Sequence, residues 1–224
     1  MSVTEEHVAR RLVLVCGATD VLPRLPDLVE RVPSRPGKAE IDPLLSAHPD
    51  VPLVVAGSDA DLAAVVVRLL RKEKLAGTPV GFVPTVAGSE VARRWGLPLD
   101  PARALEVALT AEPDPVPLVR DDAGGVLVAK GTIGPVRGVA YCDDFVALRG
   151  AARAIEVWPD AVAGLAVRVR KGLFKSGETV TSRAFQLGCA PARPRYDGVE
   201  HPRPVERWTW YRHTEDLRLI RSAE

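Results

Sequence analysis

The sequence predicts an α/β protein in two parts: a three-layer N-terminal domain built on a parallel sheet, and a β-rich antiparallel C-terminal domain. In the first half, short buried apolar runs alternate with helical patterns, the order that gives a parallel sheet covered on both faces. After residues 113–115 (Pro-Asp-Pro), runs of alternating apolar and polar residues follow one another, as in a half-solvated antiparallel sheet. We expect domains at residues 1–122 and 123–224, and the pattern leaves open whether the last strand returns to the first domain.

The composition excludes several classes of protein. The 224 residues include 30 Lys and Arg against 29 Asp and Glu, a net charge of +1, so the chain lacks the overall basic charge that non-specific nucleic-acid binding needs. A hydrophobic content of 46% indicates a globular rather than a disordered chain. The three cysteines are widely spaced, which favours neither a disulfide framework nor a zinc site. The N-terminus does not resemble a signal peptide, and no apolar run reaches membrane-spanning length, so the expected location is the cytoplasm.

The predicted elements of the first half follow one another as strand and helix. Each strand is a short β-branched or apolar run, and the helices show apolar residues at helical spacing or a capping residue. Strands are predicted at 12–15, 53–56 and 80–83, and helices at 25–32, 60–70, 89–95 and 100–111.

The second half is predicted to be almost entirely strands separated by Gly, Pro and Asp turns. Residues 145–156 are the one predicted helix there. The predicted strands are 126–129, 163–169, 179–187, 206–211 and 217–220.

The segment VVAGSDADLAAVVVRLL, residues 54–70, carries the first functional signal. A strand runs into a turn of small residues and then into a helix, whose free N–H groups favour an anion. Gly57 and Ser58 would let the backbone approach a phosphate, and Asp59 would hold a metal ion or a ribose hydroxyl. The alternative interpretation is that Asp59 or Asp61 caps the helix.

A second segment, PVGFVPTVAGSEVARRWGLPLDPARALEVAL, follows at residues 79–109. In this order the two segments resemble the diacylglycerol kinase catalytic domain of the lipid-kinase and NAD-kinase superfamily. That family has a strand, GGDGTxNEV and a helix, and then PLGxxPxGTGNDFARxLGIPxDPxxAL. The first pattern matches residues 57–61, the second matches residues 84–93, and the GLPLDP sequence at 96–101 agrees most closely.

The resemblance extends more weakly into the second half. Residues 158–167 match the family's proline-led segment P-x-A-x-x-DGLLDVVVV, and residues 195–200 match an alternating strand that ends in the turn DGE. Residues 216–221 correspond to a closing strand. The site is then implied to lie in the cleft between the two domains.

The resemblance implies a function in which the γ-phosphoryl group of ATP, with Mg²⁺, is transferred to a hydroxyl of a lipid or lipid-like alcohol. It implies Asp197 as the base for that hydroxyl and Glu90 as a second catalytic carboxylate. Asp59 is implied as the metal ligand. The implied nucleotide-binding residues are Gly57, Ser58, Asp59, Asp61, Gly88 and Ser89.

Several residues depart from the family pattern. Ala60 and Val86 stand where glycines let phosphate oxygens approach, and Ala163 and Ala166 replace two carboxylates. The chain is also short for this family. These departures favour an alternative hypothesis, in which a catalytically degenerate homologue binds a ligand or a partner.

Other polar residues are less informative. Lys130 and Lys171 would contact phosphates or be solvated, and the four histidines show no ligand spacing. The C-terminal segment is rich in Arg, Trp and Tyr, which suggests a stacking surface for single-stranded nucleic acid or a nucleotide, or else an amphipathic edge strand with Trp208 and Trp210 in the core. The acceptor, the nucleotide base and the oligomeric state are left open.

Overall fold

A computed structural model describes residues 10–18, 28–172 and 176–222. The first part of the chain forms a four-stranded parallel sheet in the order β2-β1-β3-β4. Its strands are β1 (Leu12–Cys16), β2 (Val29–Val32), β3 (Leu53–Gly57) and β4 (Val80–Pro84). Its helices are α1 (Lys38–Ala47), α2 (Asp59–Arg71), α3 (Glu90–Trp95) and α4 (Pro101–Thr110).

Helices cover both faces of this sheet. Successive side chains of a strand point to opposite faces, and the buried residues divide accordingly. Leu14 and Val55 pack with side chains from α1, α2 and α3, whereas Val13 and Val54 pack against Ala104, Leu105 and Ala108 of α4. The predicted three-layer arrangement is therefore confirmed.

Two assignments near the start of the chain differ from the sequence-based prediction. The predicted helix 25–32 is wrong over its described part, because Val29–Val32 form β2, parallel to β1; residues 25–27 lie outside the described residues. β-branched residues at both ends of this segment suit a strand beside the buried β1. Helix α1 was not predicted, because it contains Pro43, which normally argues against a helix.

The second part of the chain is a sandwich of two six-stranded sheets around one apolar core. The sheet orders are β12-β11-β10-β7-β14-β15 and β6-β5-β16-β13-β8-β9. The strands are β5 (Val119–Asp121), β6 (Val126–Leu127), β7 (Gly131–Ile133), β8 (Val136–Cys142), β9 (Phe145–Ala152), β10 (Ala154–Asp160), β11 (Gly164–Arg170), β12 (Ser176–Ser182), β13 (Ala184–Ala192), β14 (Pro194–Tyr196), β15 (Val199–Glu200) and β16 (Val205–Arg212). The predicted antiparallel β-rich domain is confirmed.

The predicted helix 145–156 is wrong. These residues form β9 and the start of β10, and β9 pairs antiparallel with β8 over its whole length. Gly150 adopts a φ of 112°, which a regular helix does not allow. The predicted strand 179–187 is two strands, β12 and β13, which are separated at Arg183 and belong to different sheets.

Trp208 and Trp210 are buried in the core of the sandwich. Their rings are therefore not available to stack on nucleic-acid bases, and the interpretation that places them in a core is confirmed. The expectation of an edge strand is wrong, because β16 pairs with β5 on one side and β13 on the other. No helix among the described residues combines the length and the apolar character that a membrane span requires.

Residues 217–220 return to the first sheet. Leu219 pairs parallel with Val80 of β4; the Val80 N–H donates to Arg218 and the Ile220 N–H donates to Val80, both at 2.8 Å. Leu217 and Leu219 are buried in the core that also holds one face of the parallel sheet. The last described residues thus cover the outer edge of β4.

Candidate functional site

The two sequence motifs lie side by side at the carboxyl ends of adjacent strands. Gly57 at the end of β3 pairs with Pro84 at the end of β4, and the Thr85 N–H donates to the Gly57 carbonyl at 3.0 Å. Ligands of open α/β sheets bind at this edge, where loops leave the strands.

Asp59 ties the two motifs together. It is the first residue of α2, and its Oδ1 accepts a hydrogen bond from Ser89 Oγ at 2.5 Å. Its Oδ2 accepts from the backbone N–H groups of Glu90 at 2.8 Å and Val91 at 3.4 Å. The carboxylate therefore satisfies free N–H groups at the start of α3, not of its own helix.

Asp61 is a helix-capping residue, and its carboxylate bonds to Ser58 and Arg35 and not to the second motif, residues 84–93. Its Oδ2 accepts from the backbone N–H and the hydroxyl of Ser58, each at 2.7 Å, and its Oδ1 accepts from the Arg35 N–H at 2.6 Å. In return, the Asp61 N–H donates to Ser58 Oγ at 3.3 Å, which completes a capping box. A Cβ atom on Gly57 would lie 2.6 Å from Asp61 Oδ2, so the glycine makes room for this carboxylate.

Asp197 lies in the tight turn between β14 and β15. Asp197 and Gly198 both have positive φ, 48° and 84°, as a two-residue hairpin turn requires. The carboxylate accepts hydrogen bonds from three successive backbone N–H groups, those of Val128 (2.9 Å), Ala129 (2.9 Å) and Lys130 (3.0 Å).

Burial raises the pKa of Asp197 to about 7, although the three N–H donors favour its ionised form; the negative charge of Asp59 raises the pKa further. Only 6% of the residue is exposed. A carboxylate with a pKa near neutrality can both accept and release a proton at physiological pH, which suits acid–base chemistry.

A cleft of about 360 Å³ separates the two motifs from the β-sandwich. Six of the predicted site residues line it, whereas Gly57 and Asp61 do not. The lining consists of Ser58, Asp59, Val86, Ala87, Gly88, Ser89, Glu90, Lys130, Thr132, Arg195, Asp197 and Gly198.

Thr132 and Arg195 were missed by the sequence analysis, and Lys130 was left open. Thr132 of β7 is opposite Arg195 of β14 in the sheet register, so their side chains emerge on the same face. Lys130 Nζ lies 3.1 Å from Glu156 Oε1, and Arg195 Nη2 lies 3.3 Å from Glu200 Oε2. Lys130 and Thr132 meet Arg195 only because β7 pairs with β14, a strand far away in the sequence.

The departures from the family pattern fall in different places. Val86 is 58% exposed and lines the cleft, so it narrows the space beside Gly88, whose φ is 80°. Ala166 is buried in β11 opposite Trp158, and the Ala163 N–H donates to Asp160 in a turn. Neither of these two alanines is among the described residues that line the cleft.

The carboxylates of the cleft do not form a metal-binding cluster. Within the described ranges, no group of three or more His, Cys, Asp or Glu side chains is arranged to hold a metal ion. Glu90 is instead paired with Arg93 at 3.0 Å.

Comparison with solved structures identifies the fold. A diacylglycerol kinase from Bacillus anthracis superposes with a TM-score of 0.67 at 11% identity, covering 95% of this chain and 97% of that one. An NAD kinase from Archaeoglobus fulgidus in complex with ATP gives a TM-score of 0.55 at 13% identity, with 95% and 94% covered. A yeast NADH kinase complexed with NADH gives 0.54 at 8% identity, with 95% and 84% covered.

These similarities show that the chain has the two-domain fold shared by diacylglycerol kinases and NAD kinases, with a highly divergent sequence. Neither a protein-family model nor a curated protein matches the sequence itself.

Proposed function

We propose that the cleft binds ATP and that the protein transfers the γ-phosphoryl group to a hydroxyl of a lipid or lipid-like alcohol. The observation that carries this proposal is the position of Asp197, a buried carboxyl with a pKa of about 7. It lines the same cleft as the loops after β3 and β4, which Asp59 joins by hydrogen bonds. The fold similarity to kinases, one of them solved with ATP, supports it.

In the proposed reaction, the acceptor oxygen forms a bond to the γ-phosphorus, and the bond from that phosphorus to the β,γ-bridging oxygen breaks. ADP leaves, and Asp197 receives the proton of the hydroxyl. Lys130 and Arg195 contribute positive charge next to the phosphates.

A Mg²⁺ ion fits this cleft only as a partner of the nucleotide. Mg²⁺ in such sites is held by one or two carboxylates together with substrate phosphates, not by a cage of protein ligands. Asp59 lines the cleft and accepts three hydrogen bonds, and a carboxylate offers about four acceptor positions. Asp59 would therefore hold the ion, which when bound would neutralise phosphate charge.

The same hydrogen bonds favour the second candidate, a nucleotide-binding protein without catalysis. Both oxygens of Asp59 and both oxygens of Asp197 already bond to protein donors, and Val86 narrows the cleft. A site whose carboxylates serve mainly to join loops would bind a nucleotide without turning it over.

The experiment is phosphate transfer from radiolabelled ATP to a mixed lipid extract, combined with thermal shifts on adding ATP with and without Mg²⁺. Asp59→Ala and Asp197→Ala are compared with Glu106→Ala, an exposed change on α4. Labelling by the parent and by Glu106→Ala, but by neither site variant, supports the kinase. A nucleotide-dependent thermal shift without labelling supports the binding protein, because a ligand that binds only the folded state raises stability. No labelling and no shift would overturn both.

A further inference from the structure

One sheet of the β-sandwich, β6-β5-β16-β13-β8-β9, has an outer face that is open to solvent. Ala140 and Cys142 of β8 are buried in the core, so their neighbours Val139 and Tyr141 point outward. Strand pairing then defines two outward rows, which together with Arg137 we call the outer face. The first row is Arg207, Gly188, Val139 and Arg149, and the second is Thr209, Gln186, Tyr141 and Val146. None of these residues lines the cleft, so a partner on the outer face leaves the cleft free.

The outer face carries three positive charges and no negative one. Arg137, two residues before Val139 on β8, points the same way as Arg149 and Arg207, and all three arginines are exposed. Among the residues that the structure describes, none of the three forms an ion pair or a side-chain hydrogen bond. Their guanidinium groups are therefore available to an anionic partner.

Acidic residues border the outer face without neutralising it. Glu206 adjoins Arg207 in sequence, but the alternation of side chains along β16 turns it to the other side of the sheet. Asp143, in the turn between β8 and β9, accepts hydrogen bonds from two backbone N–H groups at and just before the start of β13. Asp144, its neighbour in that turn, is one exposed carboxylate against three arginines. The outer face thus keeps a net positive charge.

Apolar side chains are exposed at one corner of the outer face. Tyr141 and Val146 pair across β8 and β9 and are 40% and 39% exposed, and Phe145, the first residue of β9, is 57% exposed. These are three of the six large hydrophobic side chains that are exposed in the described part of the chain. Such a cluster next to unpaired arginines marks an interaction surface.

The chemistry of this surface distinguishes three kinds of partner. In a two-fold dimer the outer face would meet itself, and its arginines would repel those of the second copy. A nucleic-acid strand would pair with the arginines and stack on Tyr141, but it would leave the aliphatic Val139 and Val146 without a partner. An anionic lipid bilayer suits both features, because its headgroups attract arginine and its interface accepts aromatic and aliphatic side chains.

We propose that the outer face docks on an anionic lipid bilayer. Arg137, Arg149 and Arg207 contact the anionic headgroups, and Phe145 and Val146 enter the boundary between the headgroups and the acyl chains. Three arginines and one apolar corner give a reversible attachment that salt weakens, not a permanent anchor. The inference does not depend on phosphoryl transfer in the cleft.

The test is co-sedimentation of the full chain with vesicles of phosphatidylcholine alone and of phosphatidylcholine mixed with an equal share of phosphatidylserine. We expect binding only to the vesicles that contain phosphatidylserine, and it should weaken as salt is added. Arg149→Gln and Arg207→Gln should each weaken the binding about fivefold, the usual effect of one arginine near an anionic membrane. Phe145→Ser should also weaken it about fivefold, but without changing its salt dependence, because no charge is removed.

Two matched controls locate the surface. Arg31→Gln removes an exposed arginine of β2, in the first domain, and Leu99→Ser removes a leucine that is 56% exposed, close to the exposure of Phe145. Both variants should bind the vesicles as the parent does. Unfolding midpoints equal to that of the parent establish that each variant folds.

Four results would overturn the proposal. The first is no binding of the parent to the vesicles with phosphatidylserine, and the second is equal binding to phosphatidylcholine alone. The third is a loss of binding in the controls as large as in the variants of the outer face. The fourth is binding of a single-stranded oligonucleotide, or formation of a dimer, that requires Arg149 and Arg207 while the vesicles are not bound; this would assign the outer face to nucleic acid or to a second copy instead.

Discussion

At the scale of single residues, two opposing effects determine the pKa of Asp197. Three N–H donors favour its charged form, while near-complete burial disfavours it, and burial dominates. Its proton affinity therefore contributes to the free energy of unfolding as well as to the proposed chemistry.

We predict that this free energy falls as pH rises from about 4 to about 7. The folded-state pKa of Asp197 is raised to about 7, so in this window the folded chain keeps a proton that the unfolded chain has released. The free energy of unfolding falls by at most about 1.4 kcal/mol per pH unit. The stabilisation by the proton on Asp197 is fully present only below about pH 4. Urea unfolding of the parent and of Asp197→Asn across this window measures it.

Asp197→Asn should be less stable overall, since its amide faces an N–H donor, but its stability should depend less on pH. The exposed Asp122→Asn exchange controls for the loss of a carboxylate. Equal pH slopes for the parent and Asp197→Asn would contradict the prediction.

Gly57 is a position where a side chain would collide with the Asp61 carboxylate. Gly57→Ala places a methyl group 2.6 Å from Asp61 Oδ2, and such overpacking should cost about 1–3 kcal/mol of unfolding free energy. Chemical denaturation measures the cost. In Gly188→Ala the new methyl meets nothing within 4 Å, so this control should be neutral or stabilising; an equal loss in both variants would count against the steric explanation.

At the scale of elements, α2 and α3 begin next to each other because one carboxylate serves both. Asp59 starts α2 and accepts hydrogen bonds from the start of α3, while Ser58 and Asp61 cap α2. The cleft loops thus owe their positions to helix-capping interactions.

We expect Ser58→Ala to lower stability by about 1 kcal/mol, the usual cost of an N-cap, and to weaken ATP binding through the displaced loop. Ser46→Ala is the matched control, since Ser46 is exposed near the end of α1 and bonds only to the Asp42 carbonyl. Guanidinium unfolding midpoints compare the two. If the two substitutions cost the same, the capping box does not stabilise the loop.

The sequence predicted those elements whose local signals agree with their surroundings. Helix α2 has apolar spacing and an N-cap, and α4 has Asp100 as cap with Pro101 at its first position, so both were found. Helix α1 was not predicted because an internal proline argues against a helix, and β9 was not predicted because its local pattern also fits a helix. The strand character of β9 comes from its pairing with β8.

For the site, the sequence could supply the residues that lie in motifs but not those that meet through tertiary pairing. Asp59 and Ser89 lie in recognisable strand-to-helix turns, Asp197 was identified only through the family resemblance, and all three line the cleft. Thr132 and Arg195 reach it only because β7 pairs with β14, strands separated by more than a quarter of the chain. No local signal distinguishes such residues from other exposed polar positions.

At the scale of the molecule, both ends of the described chain contribute to the first core. Leu219 is fully buried there, although it follows the entire β-sandwich in sequence. Contacts between the domains include Trp158, whose ring lies 5.4 Å from the Arg94 guanidinium of α3 and 5.3 Å from that of Arg168.

We predict that Leu219→Ala lowers the free energy of unfolding by about 2–5 kcal/mol, as for other buried leucines. Amide hydrogen exchange should accelerate most in β4, whose edge the segment covers. Leu99→Ala, at a leucine that is 56% exposed, should cost far less. Unchanged protection of β4 in Leu219→Ala would show that the segment does not hold that strand.

The return of residues 217–220 to Val80 also sets the order of events on the ribosome. The nascent chain exposes β4 more than half of its length before the segment that covers this edge is made. During that interval the edge is an open template for pairing with other chains. Contacts so distant in sequence also form slowly. We therefore expect this edge of β4 to stay open until residues 217–220 have left the ribosome and paired with Val80.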